Sequence, residues 1–207
     1  MFKDHFKKIS ITATTMIIFC LAASTALSIF YFITKSPIEE SDAKAKIIFL
    51  NQVIPANLYD NNLVKDTISI EPNPLLGNKK NIDVYRAKKN NQVIAVIIET
   101  IAPDGYSGEI KTLVGIDQED KILGIRVITH KETPGLGDYI EIDKSQWIKN
   151  FDFKSLDKLT EKQWAVKKDG GDFDYVSGAT ITSRAVVKST YKCLLYSKEN
   201  KKRLFAS

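Results

Sequence analysis

Cysteine and histidine are scarce in this chain, with two of each among 207 residues. Cys20 lies within a long apolar run and Cys193 lies near the C-terminus. An intramolecular disulfide is therefore not expected, and the fold must depend on its hydrophobic core. His130 has no cysteine and no second histidine at metal-ligand spacing, since His5 lies before the apolar run. We predict no metal site and interpret His130 as a hydrogen-bonded structural residue.

Most of the chain also lacks an excess of positive charge. The net charge is +5, but the first 35 residues contain four Lys and one Asp, which leaves +2 for the remainder. Nucleic-acid-binding domains cluster Lys and Arg on one face. The mixed run at residues 198–203 is interpreted as a solvated helix end. No nucleic-acid partner is expected.

The one long stretch without charge covers residues 9–34 and follows Lys3, Lys7 and Lys8. At about 1.5 Å per residue, such a helix exceeds the ~30 Å hydrocarbon core of a bilayer. A cleaved signal peptide is the alternative, with residues 24–26 as a small-residue cleavage site, but the apolar core of a signal peptide is typically about 7 to 15 residues long. The sequence therefore predicts a single transmembrane helix that is retained as an anchor.

The charges on either side of the apolar segment predict its orientation. Lys residues precede it, whereas Lys35 is followed by Glu39, Glu40 and Asp42. Positive flanks remain in the cytoplasm. Residues 1–8 are therefore expected to be cytoplasmic, and the C-terminal domain is expected in the periplasm, anchored in a bacterial inner membrane.

The rest of the sequence predicts an α+β fold with one domain. Residues 35–37 are expected to break the helix, and residues 35–80 to form a connecting helix and then, from residue 61, an irregular or weakly stranded segment. An antiparallel sheet is predicted from β-branched runs separated by turn residues, at residues 82–87, 93–101, 110–116 and 122–129. Flanking elements are predicted as short helices at residues 145–151 and 155–162, a short strand at 164–167 and a closing helix at 181–204. The domain itself is assigned to residues 81–207.

Residues 174–180 read Asp-Tyr-Val-Ser-Gly-Ala-Thr and stand directly before the closing helix. The first turn of a helix has unpaired N–H groups and the positive end of the dipole, so it can hold a phosphate. The hydroxyl of Thr180 is expected there, behind two small residues. Arg184, one turn later, could also reach a phosphate or belong to a solvated basic face. On the residues alone, an ordinary capping turn explains the same pattern.

A second segment, residues 129–138, contains Glu-Thr-Pro-Gly-Leu-Gly at residues 132–137. Proline and two glycines fix a tight path and leave backbone N–H groups open to a polar ring edge. Leu136 could cover an apolar ring face. A plain connection after the preceding strand is the alternative interpretation of these residues.

The two segments resemble the two signatures of the FMN-binding domain family. The first matches the family's flavinylation motif, Asp-x-x-Ser/Thr-Gly-Ala-Ser/Thr, at every fixed position, and the resemblance covers roughly residues 81–196. It implies that a flavin transferase recognises Asp174 and joins the phosphate of FMN covalently to Thr180. The cofactor-binding residues that it implies are those of the first motif and the helix start, Ser177, Gly178, Ala179, Ile181 and Thr182, and those of the second, Glu132, Thr133, Gly135, Leu136 and Gly137.

The resemblance also implies a function. Such domains occur in electron-transfer flavoprotein subunits of ion-translocating oxidoreductase complexes, so a redox subunit of an Rnf-type translocase is expected. Its implied partners are the other membrane subunits of the complex and the FMN transferase. The related subunit of sodium-translocating NADH:quinone reductases is typically longer and ranks second, ahead of a membrane-anchored periplasmic binding module without a redox role. A serine hydrolase is disfavoured because Ser177 lacks the Gly-x-Ser-x-Gly context.

Overall fold

The computed structural model of the chain describes the backbone of residues 2–206 and the side chains of residues 13–35 and 46–206. The chain divides into two compact units, Met1–Ala45 and Lys46–Ser207. The flanking charges that predict the orientation of the anchor lie outside the described side chains, except for Lys35. They are Lys3, Lys7, Lys8, Glu39, Glu40 and Asp42.

Helix α1 covers Phe2–Val53. Within it, the 23 residues Ala13–Lys35 are long and apolar enough to cross a membrane. The predicted helix break at residues 35–37 is wrong, because the backbone is helical on both sides of Pro37. Proline removes one N–H donor and strains a helix, and this penalty does not forbid continuation when the flanking residues favour the helix.

The sheet has five antiparallel strands in chain order, as the sequence predicts apart from the first strand. Asn90 and Asn91 have φ values of +51° and +61° and form the two-residue turn between the second and third strands, where asparagine tolerates this conformation. The turn expected at residues 103–105 falls instead at residues 106–107, because the third strand continues further. The strands are β1 Thr67–Ile70, β2 Ile82–Lys89, β3 Gln92–Gly105, β4 Gly108–Asp117 and β5 Ile122–Thr129.

Apolar side chains cover both faces of the sheet and give two core clusters. Alternate residues of β3 face opposite sides, so that Val96 and Ile98 belong to one cluster while Ala95 and Ile97 belong to the other. The first cluster lies under α2, Thr180–Glu199, which packs on β3 and β4. The second lies under the end of α1, around Val53. Because both faces of β3 are buried, its sequence is a nearly continuous run of apolar residues.

The segment before the predicted domain is part of the same compact unit. Residues 46–80 contribute the end of α1, the first strand and the buried residues Leu63 and Leu76. The folded unit thus begins at Lys46, earlier than the boundary at residue 81 that the strand pattern suggests. A short strand and a proline-rich connection give only a weak pattern in the sequence. Their position in the fold is determined by the sheet that they join.

The region between β5 and α2 is built from short 3-10 helices, at Asp138–Ile140, Gln146–Phe151, Glu161–Gln163 and Lys167–Asp169. The predicted helix at residues 155–162 is wrong, because these residues form a turn, irregular backbone and the start of the third 3-10 helix. The predicted strand at residues 164–167 is only a single bridge between Val166 and Phe173. The predicted closing helix is divided by Asn200 into α2 and a short α3, Lys201–Leu204.

Candidate functional site

Residues 174–180 leave the core at Phe173 and turn directly into α2. The N–H of Ala179 donates to the carbonyl of Val176 at 3.0 Å and closes this turn. Gly178 has φ +89°, a left-handed conformation that residues with a Cβ disfavour. The backbone itself therefore requires glycine at this position of the motif.

Thr180 is the first residue of α2, but it is not the cap. The N-cap is Ala179, which makes no side-chain capping bond within the described chain, and the first turn of α2 contains no acidic residue. The N–H groups at the helix start thus remain available to an external anion. The Thr180 side chain is partly exposed. A turn does lead into the helix, but within the described residues no side-chain capping bond supports the capping-turn interpretation.

The loop of the second motif contacts the first motif directly. The carbonyl of Thr133 accepts hydrogen bonds from the N–H groups of Leu136 and Gly137, at 3.1 and 2.8 Å. Gly135 has φ +76° and open space around it. Leu136 Cδ1 lies 3.4 Å from the point that a Cβ on Gly178 would occupy. The fold therefore brings together the two segments that the sequence singles out.

Glu132 ties three segments together from a buried position. Its side chain is only 4% exposed. Oε1 accepts a hydrogen bond from the N–H of Ser107 at 3.0 Å, at the turn between β3 and β4, and Oε2 accepts one from the hydroxyl of Thr182 on α2. A Cβ on Gly137 would lie 2.8 Å from the Glu132 Cβ. The buried carboxylate thus holds the loop, the hairpin and the helix start together.

The surface around Thr180 suits a flavin phosphate and ring. Leu136 is 43% exposed, Ile181 is 45% exposed and Tyr175 is 37% exposed, which provides apolar contact area on both sides of the motif. The helix start supplies phosphate-binding N–H groups. The buried hydroxyl of Thr182 is bonded to Glu132, so only the backbone of this residue could contact a phosphate.

Ion pairs engage the charged side chains near the motif. Arg184 forms a two-bond pair with Asp169, at 2.5 and 2.6 Å, so it does not point toward Thr180 as the sequence suggested it could. These bonds from Arg184 lower the pKa of the Asp169 carboxyl. Lys167 Nζ lies 2.5 Å from Asp174 Oδ1. The motif carboxylate is therefore exposed at the surface and already paired with a lysine.

His130 is hydrogen-bonded through both ring nitrogens, which is consistent with its interpretation as a structural residue. Its Nδ1 accepts a hydrogen bond from the N–H of Glu132 at 3.0 Å, and its Nε2 lies 2.5 Å from Glu141 Oε1. Because Nδ1 is an acceptor, the ring proton sits on Nε2 and is donated to the carboxylate. The imidazole thereby fixes the start of the loop.

A cavity of about 350 Å³ lies beside β5 and is lined in part by Arg126, His130, Glu141 and Asp143. None of its lining residues belongs to the motif at residues 174–180. This cavity is therefore separate from the motif that ends at Thr180.

Two aromatic residues at the motif were not recognised in the sequence. Trp147 Nε1 donates to the carbonyl of Asp174 at 2.7 Å. The Tyr139 hydroxyl lies 3.4 Å from the carbonyl oxygen of Ala179, and burial raises the pKa of this phenol despite nearby hydrogen-bonding groups of Ser183 and Val176. The sequence could have indicated these two residues, because a buried Tyr or Trp usually has a polar hydrogen-bond partner. It does not indicate which group that partner is.

Comparison with known proteins gives consistent matches. Residues 105–195 match the FMN-binding domain family. The chain is 40% identical over 193 residues to the G subunit of the ion-translocating oxidoreductase complex of Aliivibrio fischeri, covering 93% of this chain and 92% of that protein. It is 42% identical over 194 residues to the protein of the same name from Buchnera aphidicola subsp. Baizongia pistaciae, covering 93% and 89%. The crystal structure of Shewanella oneidensis NqrC is similar with a TM-score of 0.49 and 23% identity, covering 73% of this chain and 77% of that one.

Proposed function

Because the chain belongs to the family of G subunits of ion-translocating oxidoreductase complexes, we propose that it is an electron-transfer flavoprotein subunit of such a complex, of the Rnf type. In this proposal it carries FMN joined through a phosphoester to Thr180. The relatives match over nearly the whole chain, which favours this assignment over the subunit of a sodium-translocating NADH:quinone reductase.

The observation that carries the proposal is the contact between the two motifs at the start of α2. Leu136 lies against Gly178, and Thr180 follows two residues later with a hydroxyl that does not cap the helix. Bound FMN supplies the one- and two-electron chemistry. The protein contributes the attachment oxygen, N–H groups of Ile181 and Thr182 for the phosphate and apolar side chains for the ring.

The remaining motif residues have distinct roles in this proposal. Ser177, Gly178 and Ala179 are small and leave space for the tether and for the transferase. Asp174 is exposed and is proposed as a recognition point for that enzyme. The loop residues Thr133, Gly135 and Gly137 present backbone groups beside the ring, while Glu132 acts by holding the loop.

The proposed location follows from the anchor. In this proposal the segment Ala13–Lys35, which is long and apolar enough to cross a membrane, spans the inner membrane once. The N-terminus is then cytoplasmic, and the folded unit that begins at Lys46 lies in the periplasm. Its partners are the other membrane subunits of the complex and the FMN transferase that matures it.

The test is removal of the Thr180 hydroxyl. Thr180→Val keeps the β-branched shape, and since no capping bond is lost, the free energy of unfolding should change by less than about 1 kcal/mol. Covalent flavin should disappear completely, as measured by in-gel flavin fluorescence after denaturation and by intact mass, with the transferase co-expressed.

Two matched variants serve as controls. Thr180→Ser keeps an oxygen nucleophile and should keep at least partial attachment, whereas Ser177→Ala removes a neighbouring hydroxyl and should retain covalent flavin. If the Val variant still carries flavin through denaturation, Thr180 is not the attachment site and the proposal fails.

A further inference from the structure

Something outside the motif must hold residues 174–180, because this segment has no regular structure until α2 begins. Within these seven described residues, the one backbone bond before the helix joins Ala179 to Val176, and Asp174, Ser177 and Gly178 are exposed. An attached flavin has one fixed end, at Thr180, and a flexible tether beyond it. The direction of that tether therefore depends on how firmly the segment is held.

Two buried aromatic donors reach the two ends of this segment. At the first end, Trp147 Nε1 donates to the carbonyl of Asp174 at 2.7 Å. At the second end, next to Thr180, the Tyr139 hydroxyl lies 3.4 Å from the carbonyl oxygen of Ala179. The bond to Asp174 is short and the one to Ala179 is long, so Trp147 is the stronger of the two contacts.

The two donors form a single rigid unit with the core. Their rings meet edge to face with centroids 5.2 Å apart, and the Trp147 ring contacts Phe151 at 5.4 Å. Phe151 in turn stacks on Phe173 at 4.6 Å, the residue directly before the motif. Packed aromatic rings of this kind have little freedom to move. Both ends of the motif are therefore hydrogen-bonded to the same rigid cluster of aromatic side chains.

Trp164 belongs to the same aromatic cluster, but its ring N–H donates no hydrogen bond to the motif. It lies 5.1 Å from Phe173, centroid to centroid, and is buried like Trp147. Its Nε1 has no hydrogen-bond partner among residues 46–206. The chain thus contains two buried tryptophans in one cluster, of which only Trp147 uses its N–H on the motif.

From these contacts we infer that Tyr139 and Trp147 are positioning residues that fix residues 174–180 and thereby set the orientation of the flavin attached at Thr180. The inference rests on the proposed function. Neither residue is needed for the covalent bond itself, whose oxygen comes from Thr180. Loss of either donor should leave the flavin attached but allow its ring to move.

The experiment compares Trp147→Phe and Tyr139→Phe with wild type, using the full-length chain co-expressed with the transferase and purified in detergent. All should carry one covalent flavin by intact mass. The two variants should lose roughly half of the visible circular dichroism of the flavin and show a roughly twofold larger amplitude of nanosecond depolarisation in time-resolved anisotropy. Trp147→Phe should have the larger effect.

The matched control is Trp164→Phe, which removes the same ring atoms from the same cluster and no bond to the motif. Thermal unfolding should shift for both tryptophan variants, since both lose buried contacts. The flavin signals should change only in Trp147→Phe. Tyr139→Phe keeps the ring and folds without a cavity, so it remains informative if a tryptophan variant is unstable.

The outcomes separate the two proposals. Absence of covalent flavin on the wild-type chain would refute the attachment proposal. Flavin signals like those of wild type in both Trp147→Phe and Tyr139→Phe would overturn the positioning role, and so would an equal change in Trp164→Phe, because that would reflect packing alone.

Discussion

At the scale of single residues, a few buried polar contacts determine the geometry of the site. Glu132 is the clearest case, because its carboxylate joins residues 25 and 50 positions away in the chain, Ser107 and Thr182. Hydrogen bonds to a buried charged group are stronger than those between neutral groups. The loop conformation therefore depends on this side chain as much as on its own glycines.

Removal of this carboxylate should destabilise the domain. Glu132→Ala is expected to lower the free energy of unfolding by about 2–4 kcal/mol, because it deletes two charge-assisted bonds and leaves the buried Thr182 hydroxyl without its partner. Glu132→Gln keeps one carbonyl oxygen and should have a smaller effect. Chemical denaturation followed by tryptophan fluorescence measures both.

Glu109, on the strand that follows the same hairpin turn, is the control for this prediction. Its side chain is 45% exposed and pairs with the more exposed Lys79 at 3.3 Å. Such surface pairs contribute little, so Glu109→Ala should change the unfolding free energy by less than about 0.5 kcal/mol. Equal effects of the two alanine variants would contradict the role assigned to Glu132.

At the scale of elements, two glycines allow the end of α1 to pack closely against the sheet. Gly115 and Gly124 face each other across β4 and β5. A Cβ on Gly115 would lie 2.7 Å from Val53 Cγ1, and a Cβ on Gly124 would lie 2.8 Å from the Val53 carbonyl oxygen. The close approach of helix and sheet is possible only without these side-chain atoms.

Alanine at either position should destabilise the domain, but the two variants should respond differently to a second change at Val53. Gly124→Ala and Gly115→Ala should each destabilise the domain by about 1–3 kcal/mol through overpacking. Val53→Ala removes the Cγ1 atom, so it should partly rescue Gly115→Ala but not Gly124→Ala, whose clash is with backbone. A double-mutant cycle in chemical denaturation measures this coupling. Equal coupling for both glycines would show that the end of α1 does not pack on β4 and β5 as described.

At the scale of the whole molecule, the chain consists of a long apolar helix and one compact α+β unit. The site is formed by two distant parts of that unit, the loop after β5 and the start of α2, which meet above the cluster of aromatic residues. A candidate single-pass anchor suits a subunit of a membrane-associated complex.

Topology is testable on the intact chain. A reporter that is active only outside the cytoplasm, fused after Ser207, should be active, and the mature protein should still begin near Met1 by intact mass. Replacement of Lys3, Lys7 and Lys8 by Glu should reduce the reporter signal, because the positive flank then no longer favours the cytoplasm.

Activity of a cytoplasm-only reporter at the same position would contradict the orientation. A mature N-terminus near Leu27 would contradict the retained anchor.

The sequence alone determined the features that depend on near neighbours in the chain. The charge-free run marks the candidate span, β-branched runs between turn residues mark four of the five strands, and the small residues before Thr180 mark the helix start. These patterns follow from helix and strand geometry within a few residues. The resemblance of the two motifs to a known family belongs to this level too, since motifs are local.

Only the tertiary structure decided the contacts between distant segments. It placed Leu136 against Gly178, tied Glu132 to Ser107 and Thr182, and set Trp147 and Tyr139 beneath the motif. It also drew Arg184 to Asp169, away from the motif hydroxyl. Local patterns cannot give these pairings, because each depends on which surfaces the packed core brings together, and that choice is made by the whole domain at once.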